Sequence, residues 1–525
     1  MIEPSADALW VGRRLGAIMA PGHPGLAETL SWCEERVRQG HMCLDFDECV
    51  VDEDGREDRL PREWIEELKK LPWVAEHAVG SLNDSMRPLV VEGSRLYFAA
   101  QRADEITIAE RLVTLSRRPS CWVGAASSQG AGDALQAAAI ALVTKASLAI
   151  VIGGPGTGKT TVARGMVECV LRHEPSTRVL LLAPTGKATA RLRESINSDA
   201  PSSAPAMTIH RALTAAAKST LLAARLVVVD EASMVPAQLM RRLLEAMSPE
   251  ASLVLLGDAH QLASIESGCV LADIVPDSKA HPLHECTVSL TKNWRFNEVG
   301  ALGALASAVN AGDWARVEET LHLGGPVSWI DASSSSMVVE HTLECRATMG
   351  DGSSVLCAHR RGRDGSLAIA REMARGAGGG ANIDPIHGRD FDGRPIIITV
   401  NDPATDLVNG DVGRVEERNG RLVAVFQSQP DKAIEVERLP RHEAAYAITI
   451  HRSQGSEYDG VVIALPASVS PVLSRELLYT AITRARTNVT IVSSEASLRA
   501  AVARQVRRAS GLRERIEAAG MLPPN

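Results

Sequence analysis

Residues 149–161, AIVIGGPGTGKTT, decide the fold of this chain. Apolar β-formers from Ala149 to Ile152 run into a glycine-rich loop that ends in Lys159 and Thr160. That is a strand feeding a helix through a phosphate-binding loop. The loop residues Gly153, Gly154, Pro155, Gly156, Thr157 and Gly158 can turn backbone N–H groups toward phosphate oxygens. Lys159 adds a point charge, and Thr160, followed by Thr161, offers a hydroxyl to Mg²⁺. A helix starting at Thr160 brings its positive end to the same anion site. Ordinary residue usage would produce the pattern in roughly 0.02 of chains this long, so the stretch assigns a nucleoside triphosphate site.

Outward from this loop, strands and helices alternate. Apolar runs at 149, 178 (RVLLLAP), 226 (LVVVDEAS) and 252 (SLVLLGD) each end in polar residues or glycine. Strands buried on both faces read this way, and function gathers at their carboxyl ends. A second series follows at 353 (SSVLCAH), 460 (GVVIALP) and 488 (NVTIVSS). Two parallel-sheet domains are implied. Between members of the second series, Gly393 to Val436 changes texture to short β-rich runs broken by Asn-Gly and Asn-Asp turns, the pattern of a small antiparallel barrel. Residues 1–118 mix a helical pattern, an acidic loop and a hairpin in which PLVV and RLYFAA flank Glu92-Gly93-Ser94. Residues 119–132 have linker composition.

Composition narrows the class. The 525 residues carry 56 Lys/Arg and 64 Asp/Glu, a formal charge of −8. The first 118 residues hold 15 basic and 22 acidic side chains, so the acidity sits there and the remainder is nearly balanced. An acidic first domain does not itself track nucleic-acid phosphates. Nine cysteines without a CxxC pair indicate reduced thiols rather than zinc or a disulfide framework. No signal-peptide pattern and no run of membrane-spanning length is present, so a cytoplasmic setting is expected. Aromatic residues make up 3%, which favours backbone contacts over base stacking for any strand held.

Three further sites carry chemistry. In LVVVDEASM, Asp230 can hold the Mg²⁺ shell and Glu231 can take a proton from attacking water. A helix N-cap is the alternative for that pair. In GDAHQL, Gln261 can orient water near a γ-phosphate, or stand as an ordinary loop amide. Arg295 in LTKNWRF and Arg484 in LLYTAITRAR are candidates for arginines that reach a transferring phosphoryl group across a cleft.

Taken in order, Gln136 in LQAAAIAL, GGPGTGKTT, APTGKATAR, TIHRA, VVDEASM, GDAHQLASIESGCVLADI, LTKNWRF, TIHRSQGSEYDG and LLYTAITRAR resemble the motifs of superfamily 1 helicases. Within that superfamily they are most similar to the RecD family, the alpha subunits of RecBCD-type exodeoxyribonuclease V. The likeness is dense from about 130 to 515 and thin before 119, where only RPLVVEGSRLYF carries it.

The resemblance implies an α/β architecture. Two RecA-like parallel-sheet P-loop domains would span 119–282 and 283–383 with 444–525. A small SH3-like β-barrel would be inserted at 384–443, and 1–118 would form an α+β partner-docking domain. It implies an ATP-driven 5′-to-3′ translocase on single-stranded DNA, working with RecB-like and RecC-like subunits, with the nuclease site in a partner and no membrane association. Gln136 would hold the adenine edge, Gly455 and Glu457 would lie near the ribose, and Arg295 and Arg484 would reach the γ-phosphate. Thr185, Thr208, His210, Thr449 and His451 would touch the DNA strand, with capping or core roles the alternative for the two histidines. A stand-alone RecD-like helicase, or a regulatory subunit with weak ATPase activity, are the rival functions.

Two departures from the family pattern stand out. Only His210 to Leu226 separates TIHRA from the DEAS strand, leaving no room for a long strand-separating hairpin. Arg452 replaces the usual lysine of HKSQGSE. The tail from Leu498 to Ile516 has helical apolar spacing and six arginines, read either as a packed helix with a solvated face or as a contact with DNA or a partner.

Overall fold

The computed structural model describes residues 4–19, 24–51, 56–83, 86–124, 132–197, 204–216, 221–264, 266–294, 300–350, 352–376, 388–402, 404–426 and 429–523. Leu148–Gly153 lies inside a six-stranded, all-parallel sheet. The strand order is Thr287–Leu290, Leu148–Gly153, Ser252–Gly257, Leu226–Val229, Val179–Ala183 and Ala206–Thr208. Pleating sends alternate side chains to opposite faces. Ile150 and Ile152 join one buried layer, whereas Ala149 and Val151 join the other. Helices Ala134–Leu142, Lys159–His173 and Gly186–Asn197 cover the second face. Helices Ala99–Arg117, Ile209–Ala216 and Ala237–Ala246 cover the first.

The strand Thr287–Leu290 corrects one expectation. Residue 283 is expected to open the second domain, but this strand pairs in parallel with Leu148–Gly153, Leu290 opposite Gly153. The first sheet therefore extends to about Leu290. The run TVSL is short and polar at every second position, as an edge strand tolerates.

The second sheet is five-stranded and parallel, in the order Val327–Asp331, Ala485–Ser493, Tyr458–Ala464, Ser354–Cys357 and Ala447–Thr449. Helices including Ala301–Ala311, Arg475–Ile482 and Glu495–Ala503 pack on one face. Ser335–Thr348 and Ser366–Gly376 pack on the other. Between them the chain forms a five-stranded antiparallel sheet ordered Gln429–Glu435, Arg421–Phe426, Val412–Arg418, Pro395–Ile398 and His442–Ala444. It encloses a small core of Ile396, Ile398, Val415, Ala424, Phe426 and Ile434.

The amino-terminal segment pairs helices Ala6–Met19 and Pro24–Arg38 beside a four-stranded mixed sheet. The helices cross closely because Gly16 lacks a Cβ: one added there would sit 2.7 Å from the Ala27 Cβ. The hairpin Leu89–Glu92 with Arg95–Phe98 forms as expected, although Ala99 and Ala100 begin the next helix.

The carboxyl tail is not one helix. Glu495–Ala503 ends on the second domain, residues 504–511 run without regular structure, and Leu512–Met521 packs against helix Ala99–Arg117 and the first sheet's core. Five of its six arginines make intramolecular contacts, and Arg507 is exposed. Arg515 is fully buried against Glu92 and Glu105, and Arg508 donates to the carbonyls of Ser264, Glu266 and Gly268. In the segment before the DEAS strand, helix Ile209–Ala216 occupies the described residues up to 216. The described part holds no hairpin.

Candidate active site

Strand Leu148–Gly153 ends at the loop, and the chain enters helix Lys159–His173. Gly156 and Gly158 take φ of 79° and 87°, a left-handed conformation that costs glycine nothing. Lys159 Nζ donates to the carbonyls of Gly153 at 2.7 Å and Gly154 at 3.0 Å. Thr157 Oγ1 donates to the Gly154 carbonyl at 2.9 Å. Thr160 and Thr161 follow in the helix's first turn, where the backbone dipoles favour negative charge.

Three groups brace this loop from outside. Gln136, expected at the adenine edge, is 4% exposed and has both ends of its amide on backbone. Its Nε2 donates to the Thr157 carbonyl at 3.1 Å, and its Oε1 accepts from the Gly132 N–H at 2.8 Å. Asn293 Nδ2 donates to the Pro155 carbonyl, and the Trp294 N–H donates to that of Gly156, both at 2.8 Å. The Trp294 indole is 47% exposed, with the Lys292 ammonium 3.8 Å above its ring. Arg295 lies outside the described residues.

Asp230 and Glu231 leave the carboxyl end of strand Leu226–Val229. Asp230 Oδ1 accepts the Glu231 N–H at 2.9 Å. Glu231 has φ 53°, a strain of roughly 1–3 kcal/mol for a side-chain-bearing residue and one that concentrates at working sites. Its side chain makes no capping bond to the short turn Ala232–Met234, so the N-cap alternative is not the one adopted. Burial and the neighbouring Glu231 carboxylate push the Asp230 carboxyl up, while Lys159 pulls it down. Hard oxygen donors held against one another in this way suit a Mg²⁺ ion, which would relieve their repulsion.

The loop after strand Ser252–Gly257 ties the two domains together. Asp258, 1% exposed, accepts from Gln261 Nε2 at 3.2 Å, from the His260 N–H at 3.0 Å and from Tyr479 Oη at 3.1 Å. Tyr479 sits on helix Arg475–Ile482 of the second domain. On the same helix, Thr480 Oγ1 accepts the Leu262 N–H at 3.0 Å; Gln454, just after the short turn Ile450–Ser453, donates through Nε2 to the Leu262 carbonyl at 3.0 Å. Just beyond the helix, Arg484 is 3% exposed and donates to the carbonyls of Thr480 (3.1 Å) and Ser456 (3.3 Å). Burial draws its pKa down, against the pull of Glu231 from the first domain and Glu457 from its own.

Gly455 and Glu457 also meet the first domain. Lys187 Nζ donates to Ser456 Oγ at 2.7 Å, and Arg191 pairs with Glu457, which Arg486 approaches to 3.5 Å. A Cβ at Gly455 would lie 3.8 Å from Thr185 Oγ1. Expected near a ribose, these two residues here close the seam against PTGKATAR. Arg452 donates to Glu443, which Arg360 also holds.

Of the five residues expected on DNA, Thr208 and His210 in the first sheet correspond in place to Thr449 and His451 in the second. Thr185 follows strand Val179–Ala183, and Thr208 ends the adjacent edge strand with His210 exposed just beyond it. Thr449 ends the matching edge strand of the second sheet, and His451 follows half-buried, its pKa lowered by burial. Thr185 and Thr208 cap the helices that follow them, accepting from Ala188 at 3.2 Å and Arg211 at 3.3 Å.

Tyr479, Thr480, Trp294 and Lys187 were not singled out from sequence, although all four stand inside the motif strings. The available signal was Tyr479 itself, one of four tyrosines in the chain, five residues before Arg484.

Comparison with known proteins identifies the family. Residues 13–97 match the RecBCD enzyme subunit RecD N-terminal domain, 132–332 an AAA domain, and 444–492 a UvrD-like helicase C-terminal domain. The RecBCD enzyme subunit RecD of Mycolicibacterium smegmatis is 37% identical over 503 residues, 87% of this chain and 89% of that one. The Mycobacterium tuberculosis subunit of the same name is 34% identical over 97% of this chain and 94% of its own. The ATP-dependent RecD2 DNA helicase of Deinococcus radiodurans is 32% identical over 71% of this chain and 50% of its own. Among the described residues no helix is long and apolar enough to cross a membrane. With identities above 30% over nearly the whole length of the subunit sequences, this chain belongs to the RecD family of superfamily 1 DNA helicases.

Proposed function

We propose that the chain is the 5′-to-3′ single-stranded DNA motor of a RecBCD-type helicase–nuclease, acting in the cytoplasm beside RecB-like and RecC-like subunits in double-strand break repair and recombination. The observation that carries this reading is the cross-domain circuit at the cleft. Lys159, Asp230 and Gln261 belong to the first domain, Tyr479 and Arg484 to the second, and Asp258 of the first domain bonds both Gln261 and Tyr479 across the seam. A cleft built this way can be closed by a triphosphate and reopened by its loss.

Within it, Lys159 and the loop N–H groups would hold the phosphates of ATP, and Thr160 and Asp230 would hold Mg²⁺. When bound, that ion neutralises charge on the transferring phosphoryl group. Glu231 takes the proton of the attacking water, Gln261 orients that water, and Arg484, with Arg295, stabilises the developing charge. Trp294 offers a flat ring beside Gln136 for the base. Thr185, Thr208, His210, Thr449 and His451 grip the strand through its backbone. The acidic segment 1–118 docks the partner chains, and the antiparallel insertion at 384–443 is an SH3-like barrel.

ATPase assays on the full chain test the motor. Single-stranded DNA stimulates hydrolysis, and Lys159→Gln abolishes it. An absence of stimulation in the wild type would favour a regulatory assembly role instead. Displacement of end-labelled blocks from 5′- and 3′-tailed strands reads the polarity, and capture of the native complex identifies the partners.

A further inference from the structure

We propose that Tyr479 is a positioning residue that sets Gln261 from across the cleft, by way of Asp258. The inference rests on the water-orienting role of Gln261 given above and adds the device that controls it. Asp258 Oδ2 is the shared acceptor for Gln261 Nε2 at 3.2 Å and Tyr479 Oη at 3.1 Å. All three side chains are at most 6% exposed, so water does not replace a lost partner without cost.

The tyrosine also touches the phosphate loop. A Cβ at Gly154 would lie 2.9 Å from Tyr479 Oη and 3.9 Å from Asp258 Oδ2. Gly154 is one of the two residues whose carbonyls accept from Lys159. The hydroxyl therefore stands where the loop, the Asp258–Gln261 pair and the second domain meet. Its ring meets the His260 ring edge-on, centroids 6.5 Å apart and planes at 74°.

Rigid packing makes this contact a gauge of domain closure. Tyr479 shares its helix with Leu477, Leu478 and Ile482, all in the second domain's core, so it moves with that domain. On the other side, Leu262 of the first domain packs into the same core, its N–H on Thr480 and its carbonyl on Gln454. Separation of the domains withdraws the Tyr479 hydroxyl from Asp258 and leaves the carboxylate a single side-chain donor, the Gln261 amide. The carboxylate, no longer fixed from the second domain, then stops holding that amide at its set angle. Closure restores the shared geometry, so hydrolysis follows closure rather than mere nucleotide binding.

The test compares Tyr479→Phe, Gln261→Ala and the double variant in the full chain, with oligo(dT) as activator and a fluorescent ATP analogue for binding. Y479F keeps the ring and removes one bond to a buried charge. It lowers DNA-stimulated kcat about ten-fold, while the ATP KM and the analogue's Kd stay within two-fold. The double variant is no slower than Q261A alone, because both act on one amide. A merely structural tyrosine would move KM and Kd as well. If Y479F is as fast as the wild type while Q261A is impaired, or if the two losses multiply, the inference is overturned. If Q261A itself is fully active, the role of Gln261 fails first. Should Y479F not fold, Asp258→Asn serves the same comparison, with the same requirement of non-additivity with Q261A.

Discussion

Replacing Arg515 gives the sharpest stability prediction, because the structure puts this tail arginine in the interior instead of on a solvated face. Its side chain has no exposure, and its Nη2 donates to both oxygens of Glu92 at 2.9 Å. Its Nη1 meets Glu105 and the Gly511 carbonyl at 3.0 Å, and the guanidinium lies 5.2 Å over Tyr97. Arg102 completes the cluster, bonding Glu92 at 2.6 Å and the carbonyls of Asn83 and Ser81. Two arginines thus balance two buried carboxylates. Arg515→Ala leaves the surplus negative charge on Glu105, which retains only Ser510 and the Gly511 N–H as described partners. Removing one member of a buried pair costs about 3–5 kcal/mol. The half-exposed Arg513, 3.4 Å from the exposed Asp277 and bonded to the Val275 carbonyl, supplies the control, and Arg513→Ala should cost about 1 kcal/mol. Denaturant unfolding, with hydrogen exchange read on helix Leu512–Met521, measures both. Burial raises the Glu105 carboxyl and Arg515 holds it down, so without the arginine it rises further. A carboxyl raised in the folded state loses stability as pH climbs past its unfolded value. The R515A deficit should therefore be larger at pH 8 than at pH 5.5. A deficit below about 1 kcal/mol, or one independent of pH, would refute the assignment of a buried, charge-balanced cluster.

Glu231→Gln should cut DNA-stimulated kcat by roughly 10²–10⁴-fold with nucleotide binding retained, measured by parallel ATPase and analogue titration. Gln136→Ala removes a brace of the phosphate loop and should raise the ATP KM more than it lowers kcat, as a steady-state comparison with Y479F would show. In the antiparallel insertion, the hydrogen bond from His442 Nε2 to Asp390, 3.3 Å long, raises the histidine's pKa. That stability is complete below the unfolded value near 6.5 and fades as pH rises through the folded one. His442→Gln should consequently destabilise this sheet more at pH 6 than at pH 8.5, read by hydrogen exchange on Pro395–Ile398. Lys159→Gln should leave thermal stability unchanged while removing ATPase activity.

The buried strands were legible because parallel strands sandwiched by helices write themselves as unbroken apolar runs. Val179–Ala183, Leu226–Val229 and Ser252–Gly257 are of this kind. Thr287–Leu290 and Ala206–Thr208 were not, since an edge position leaves no such run. The phosphate loop and the DEAS acids were readable for a local reason: their residue types and spacing are themselves the chemistry. By itself, then, the sequence determined a two-sheet α/β motor with a triphosphate loop, two acids and the family to which the chain belongs. Tertiary structure alone decided which groups meet across the cleft. Tyr479 and Asp258 are 221 positions apart, and no periodicity encodes their hydrogen bond. It also decided the fate of the tail arginines, since helical spacing marks an apolar face but not whether carboxylates such as Glu92 and Glu105, more than 400 positions away, wait beneath it. Local rules set the elements, whereas the pairing of buried charges depends on which surfaces the whole chain brings together.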